Sequence, residues 1–213
     1  MIWENWFGHP ITEVAPALLR QTLEALRSAV LTADVLGVTD PVRMAGDTGH
    51  FGYMAAMEVW LRFLPPPPDV RFTDAFAHHH LQQLSPYLGD ILQGLDFLGV
   101  VSPHPELAAS LQRRFNIGRV VSHSLPGEGR LPTHRAARDA EATFPDAHRR
   151  ILDAIDPPRR GAVYLVAAGL LGKIYCGRIR ELGGIALDVG SIVDAWMGYN
   201  TRPGQLDEVQ PLA

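Results

Sequence analysis

Residues 161–200 read as a strand, a glycine turn, a helix, a second strand and a second glycine turn. Residues 162–168 are nearly all apolar, as expected of a strand covered on both faces in a parallel sheet. Gly169-Leu-Leu-Gly172-Lys173 follows where the chain must reverse. Leu171, Ile174, Tyr175, Ile179 and Leu182 then recur at helical spacing, and Gly183-Gly184 ends that helix. The next strand covers 185–188, and Asp188-Val-Gly190-Ser191 lies just past it. In parallel α/β folds ligands bind outside the carboxyl ends of strands, so this run sets two candidate ligand loops side by side.

The rest of the chain repeats the alternation. Strands are expected near 34–38, 97–101 and 119–122, in addition to 162–168 and 185–188. Helices are expected over 16–29, 52–63, 74–84 and 106–115, with a long charged helical stretch over 133–155 broken at Pro145. Residues 1–8 (MIWENWFG) show neither period. Four prolines at 65–68 form an extended spacer. The whole predicts one α/β domain over 1–213: a Rossmann-like, mostly parallel sheet flanked by helices.

Composition excludes several classes. A net charge of −4 leaves no footprint for nucleic acid or an anionic membrane. The single cysteine, Cys176, forms neither a disulfide within the chain nor a cysteine-based zinc site, and it falls in an apolar helix as a core residue would. No stretch approaches the roughly 18 consecutive apolar residues of a membrane span, and no signal-peptide pattern opens the chain, so a cytoplasmic location is expected.

Several constellations could carry chemistry. The turn Gly169-x-x-Gly172-Lys173 exposes backbone N–H groups at a helix start beside a cation, which suits phosphate; the other reading is a turn that needs glycine for close packing. It is neither a P-loop nor a complete dinucleotide fingerprint. Asp188, Gly190 and Ser191 suit ribose or sugar hydroxyls, or else a self-bonded turn. Ser102, His104, His123 and Gly127 each follow a predicted strand and belong on the same rim. Glu128, between two glycines, is a candidate general base, with Asp194 as the alternative. In the triple histidine 78–80 the side chains of a helix would point about 100° apart, so they do not converge on one ion.

The motifs AAGLLGKIYC and ALDVGSIVDAWMG, with SPHPEL and HSLPGEG, resemble the glycosyltransferase domain of the GT-D fold. The resemblance covers roughly 33–202 and is densest over 162–198. It implies a Rossmann-like sheet, a nucleotide-diphosphate sugar donor, Mg or Mn, and hexosyl transfer to a glycan acceptor in polysaccharide biosynthesis. Gly169, Gly172, Asp188 and Gly190 match its glycine-turn and strand-end positions, with Lys173 and Ser191 beside them. The family's Asp-x-Glu metal motif is not reproduced; the nearest string is Arg43-Met-Ala-Gly-Asp47-Thr-Gly49. By order of elements that motif would precede Met1, so either the chain is truncated or the metal site is lost. A non-catalytic nucleotide-binding or scaffold domain is therefore the alternative expectation, and no metal ligands are assigned.

Overall fold

A computed structural model describes residues 2–38, 69–75, 77, 87–127, 137, 141–201 and 212. The expected helix over 52–63, the histidines 78–80, and the Arg43–Gly49 string lie outside the described residues.

The main sheet has four parallel strands in the order β4-β3-β5-β6: β3 Phe97–Ser102, β4 Arg119–Ser124, β5 Val163–Val166 and β6 Ile185–Asp188. Central β3 is buried along its whole length, whereas the edge strands β4 and β6 are partly exposed. The alternation of β3 and β5 feeds two separate cores. Leu98, Val100 and Leu165 face one, with Leu107, Leu111 and Trp196; Val101, Tyr164 and Val166 face the other, with Ile151, Leu171 and Tyr175. Apolar residues on both faces of one strand require a covering layer on each side, and helices supply both.

Helix α3 (Tyr87–Leu92), α4 (Leu107–Phe115) and the short α7 (Ile192–Trp196) cover the first face. Helix α1 (Ile2–Phe7), α2 (Pro16–Leu31), α5 (His148–Ala154) and α6 (Gly169–Glu181) cover the second. α2 lies close on α6, where a Cβ at Gly177 would come within 3.0 Å of the Ala29 Cβ. A separate parallel pair, β1 (Val35–Val38) and β2 (Arg71–Asp74), is tied to α6 by Arg180, which donates to both oxygens of Asp34 at 2.9 and 3.1 Å. No helix among the described residues is long and apolar enough to cross a membrane.

The α/β class, the parallel sheet and the main strands follow the sequence expectation. Thr73 and Asp74 end strand β2, paired with Gly37 and Val38 of β1, and most of the helix expected over 74–84 lies outside the described residues. Three local expectations do not hold. Residues 2–7 are helical, because Trp3 and Phe7, four apart, meet at a ring-centroid distance of 4.3 Å and Trp3 also packs on Phe144 at 5.3 Å. The charged stretch does break at Pro145 as expected, but Ala142 and Phe144 ahead of it are already extended, and the helical turn that leads into α5 starts only past Phe144. Residues 192–196 form a helix in what the sequence offered only as a polar glycine turn.

Candidate functional site

The strand order sets the geometry. The chain leaves β3 toward β4 on one side, and leaves β5 toward β6 on the other, yet β3 and β5 are neighbours. Their carboxyl ends therefore form a topological switch point, where the two connections diverge. Ser102 ends β3, and Pro103 and His104 follow it; Ala167, Ala168 and Gly169 follow β5.

At the β3 end, Ser102 is buried and its Oγ accepts the His104 backbone N–H at 3.1 Å. That bond folds the loop so that the imidazole turns toward α7. His104 Nε2–H donates to Asp194 Oδ1 at 2.7 Å, and Thr201 Oγ1–H donates to Asp194 Oδ2 at 2.5 Å. A carboxylate only accepts, so this contact fixes the hydrogen on Nε2. Tyr199 stacks on the imidazole, with ring centroids 5.3 Å apart and planes inclined by 11°. His104 is 3% exposed and Asp194 13%, so the pair is held from both sides.

A cleft of 460 Å³ opens beside it. His104 and Glu106 after β3, Ser124 at the end of β4, and Glu141, Arg150 and Tyr199 line it. Arg150 donates from Nε and Nη2 to the two Glu141 oxygens at 2.9 and 2.7 Å, and from Nη2 to the Ser124 carbonyl at 2.9 Å. Glu141 holds the guanidinium charged and raises its pKa, while Arg150 lowers that of Glu141.

A second group sits one strand pair away. Lys173 Nζ lies 2.6 Å from Asp188 Oδ2 and donates to the Gly169 carbonyl at 3.3 Å. Asp188 Oδ1 accepts the Gly190 N–H at 3.2 Å, the self-bonded turn, and Gly190 takes a φ of +55°. Ser191 follows at the start of α7. Gly169 has a φ of +52°, and a Cβ there would run into the Trp6 indole, which covers the first turn of α6. Gly172 packs toward Val166, Ala168 and Asp188 Oδ2, which a Cβ would meet at 3.4, 3.7 and 3.9 Å.

Of the residues expected on one rim, His104 lines the cleft, and Asp194 is brought to it through His104. Ser102 supports the loop from behind. Gly127 is buried just past Pro126, which lines the cleft. His123 is turned into the core, with its ring stacked on Tyr164 at 6.4 Å. Its Nε2 has no hydrogen-bond partner, and burial lowers its pKa. Asp188 ends β6, with β5 between it and β3. Glu128 lies outside the described residues. Tyr199, Thr201, Glu141 and Arg150 escaped sequence reasoning. No spacing links Glu141 to Arg150 or Asp194 to His104; only the aromatic-polar run Gly-Tyr199-Asn-Thr201 just past a strand-end helix marked that side.

Among the described residues the divalent ion implied by the resemblance finds no fitting set of ligands. Asp188 is engaged by Lys173 and Gly190, and Asp194 by His104 and Thr201. Among the described residues no group of three His, Cys, Asp or Glu side chains could hold a metal ion. No step below is routed through one.

Comparisons with family models, curated proteins and solved structures each return no match for this chain.

Proposed function

We propose that this domain is a glycosyltransferase that moves a hexose from a nucleotide-diphosphate sugar to a hydroxyl of a glycan acceptor. The observation that carries the reading is the His104–Asp194 pair at 2.7 Å beside a cleft over the carboxyl ends of two parallel strands, β3 and β4. The GT-D-like motifs supply the reaction class. In the transfer, the acceptor oxygen bonds to the sugar's anomeric carbon while the bond from that carbon to the diphosphate oxygen breaks. The diphosphate leaves with the bonding electrons, and the acceptor proton passes to the His104–Asp194 pair. Asp194 orients the imidazole and stabilises the cation that forms, the same logic that lets a buried aspartate support a general-base histidine.

Calorimetric titration with uridine diphosphate, with and without Mn, tests donor binding; no heat in either condition overturns the reading. Turnover of a nucleotide hexose tests the chemistry. Asp194→Asn should lower kcat roughly 10²–10⁴-fold, as loss of general-base assistance does.

One observation favours the scaffold form of a second reading, a nucleotide-binding or scaffold domain without turnover. The glycine turn at Gly169 lies under Trp6, and Lys173 is paired with Asp188, so the motif that best resembles a phosphate cradle is already occupied by protein. Binding of nucleotide with no hydrolysis or transfer of any nucleotide hexose would support that reading.

A further inference from the structure

We infer that the cleft between Tyr199 and the Arg150–Glu141 pair is a subsite for a neutral hexopyranose ring, and that the diphosphate binds elsewhere. This deepens the proposed glycosyl transfer and rests on it for the origin of the ring. The volume of 460 Å³ lies in the range of roughly 300–1,000 Å³ typical of small-molecule sites.

The charge lining argues against an anion. Among the described residues two carboxylates, Glu106 and Glu141, face the cleft with one guanidinium, Arg150. Both Glu141 oxygens already bind that guanidinium, and its Nη2 also holds the Ser124 carbonyl. A diphosphate would have to expel Glu141 and still meet the field of Glu106. A sugar hydroxyl needs neither change. It both donates and accepts, so it can give its proton to an unused lone pair of Glu141 and accept from a guanidinium N–H. Two adjacent hydroxyls match the flat edge of such a pair.

The apolar part of the lining fits the other property of a pyranose, its C–H face. Tyr199 is held flat by stacking on His104, and His104 is fixed in turn by Asp194. An aromatic ring immobilised in this way offers a platform at little entropic cost, and Pro103, Pro105 and Leu125 extend the apolar surface. The same His104 then stands where a hydroxyl of the bound ring can reach the His104–Asp194 pair.

The ring can belong to the donor or to the acceptor. Saturation-transfer NMR with methyl glycosides of glucose, galactose, mannose and N-acetylglucosamine tests the site on the whole chain. At least one should bind, with affinity unchanged between 50 and 500 mM salt, as a roughly neutral ligand requires. Glu141→Gln and Tyr199→Ala should each weaken it at least tenfold, with thermal melts confirming that both variants fold. Displacement by a uridine diphosphate hexose but not by uridine diphosphate assigns the ring to the donor; displacement by neither assigns it to the acceptor. Displacement by inorganic pyrophosphate or by uridine diphosphate overturns the inference, as does binding insensitive to both substitutions or binding of none of the glycosides. If a glycoside binds through Glu141 and Tyr199 while no nucleotide binds at all, the glycosyltransferase reading falls and the neutral-ring subsite stands.

Discussion

Lys173 Nζ lies 2.6 Å from Asp188 Oδ2, joining the first turn of α6 to the end of the edge strand β6. The residues that the sequence offers as an anion-binding cation and a ribose-binding acid are thus each other's partners. Asp188→Asn should lower the thermal midpoint by about 2–4 °C, the equivalent of about 1 kcal/mol for a half-exposed pair in a chain of this size. A double-mutant cycle with Lys173→Met should return a coupling of about 0.5–1 kcal/mol. An unchanged midpoint together with weakened nucleotide binding would return Asp188 to the ligand.

Gly169 combines a left-handed backbone, φ +52°, with the Trp6 indole directly above it. Gly169→Ala therefore meets both backbone strain and overpacking, and should cost about 2–4 kcal/mol in urea denaturation. In a Trp6→Ala background the clash is gone and only the strain remains, so the same substitution should cost about 1 kcal/mol. Equal costs in both backgrounds would mean that Trp6 does not rest on this turn.

Gly99 is a packing glycine of another kind. It sits in the middle of β3, and a Cβ there would enter the Tyr164 ring, which itself packs at a tilt on Phe97 at 5.6 Å and stacks on His123 at 6.4 Å. Gly99→Ala should destabilise the domain by about 1–3 kcal/mol, and Tyr164→Leu should relieve part of that cost. Additive effects of the two substitutions would contradict the contact.

Stability should fall with acid well before the carboxylates titrate. Burial lowers the pKa of His148 to about 4 from 6.5, and lowers that of His123 as well. Between these values the unfolded chain binds protons that the folded one excludes, so unfolding gains favour as pH drops. The stabilisation is complete above pH 6.5 and is lost progressively toward pH 4, to the extent of about 3 kcal/mol for His148. Urea midpoints measured from pH 7 to 5 should decline, and His148→Gln, which removes the titrating ring bonded to Tyr175 at 3.1 Å, should flatten the decline. A flat profile in the parent protein would refute the assignment.

Replacing His104 by Phe keeps a ring beneath Tyr199 but removes a hydrogen-bond donor from the nearly buried Asp194. The cost should be about 1–3 kcal/mol, the range for a buried polar group left short of a partner. Asp194→Asn in that background should recover part of it, since an amide is less costly to leave unpaired than a carboxylate. Chemical denaturation of the two variants compares them directly.

The sequence by itself determined the layer architecture. Runs such as Phe97-Leu-Gly-Val-Val101 and Val163-Tyr-Leu-Val166 are apolar on both alternating faces, and a strand of that kind must be covered twice. Helical spacing in 171–182 and the breaks at Gly183-Gly184 then placed one covering helix between two strands. It also marked His104 and Asp194 singly, as polar residues past apolar strands. What it did not contain was their meeting: they are 90 positions apart, and only the order β4-β3-β5-β6 brings the loop after β3 against the helix after β6. The same holds for Trp6 over Gly169 and for Arg150 on Glu141. Local periodicity records which face of an element is buried, because that is a property of neighbours along the chain. Which side chains share a cleft depends on strand order and on which surface each helix covers, and those are settled by packing between segments that the sequence lists far apart.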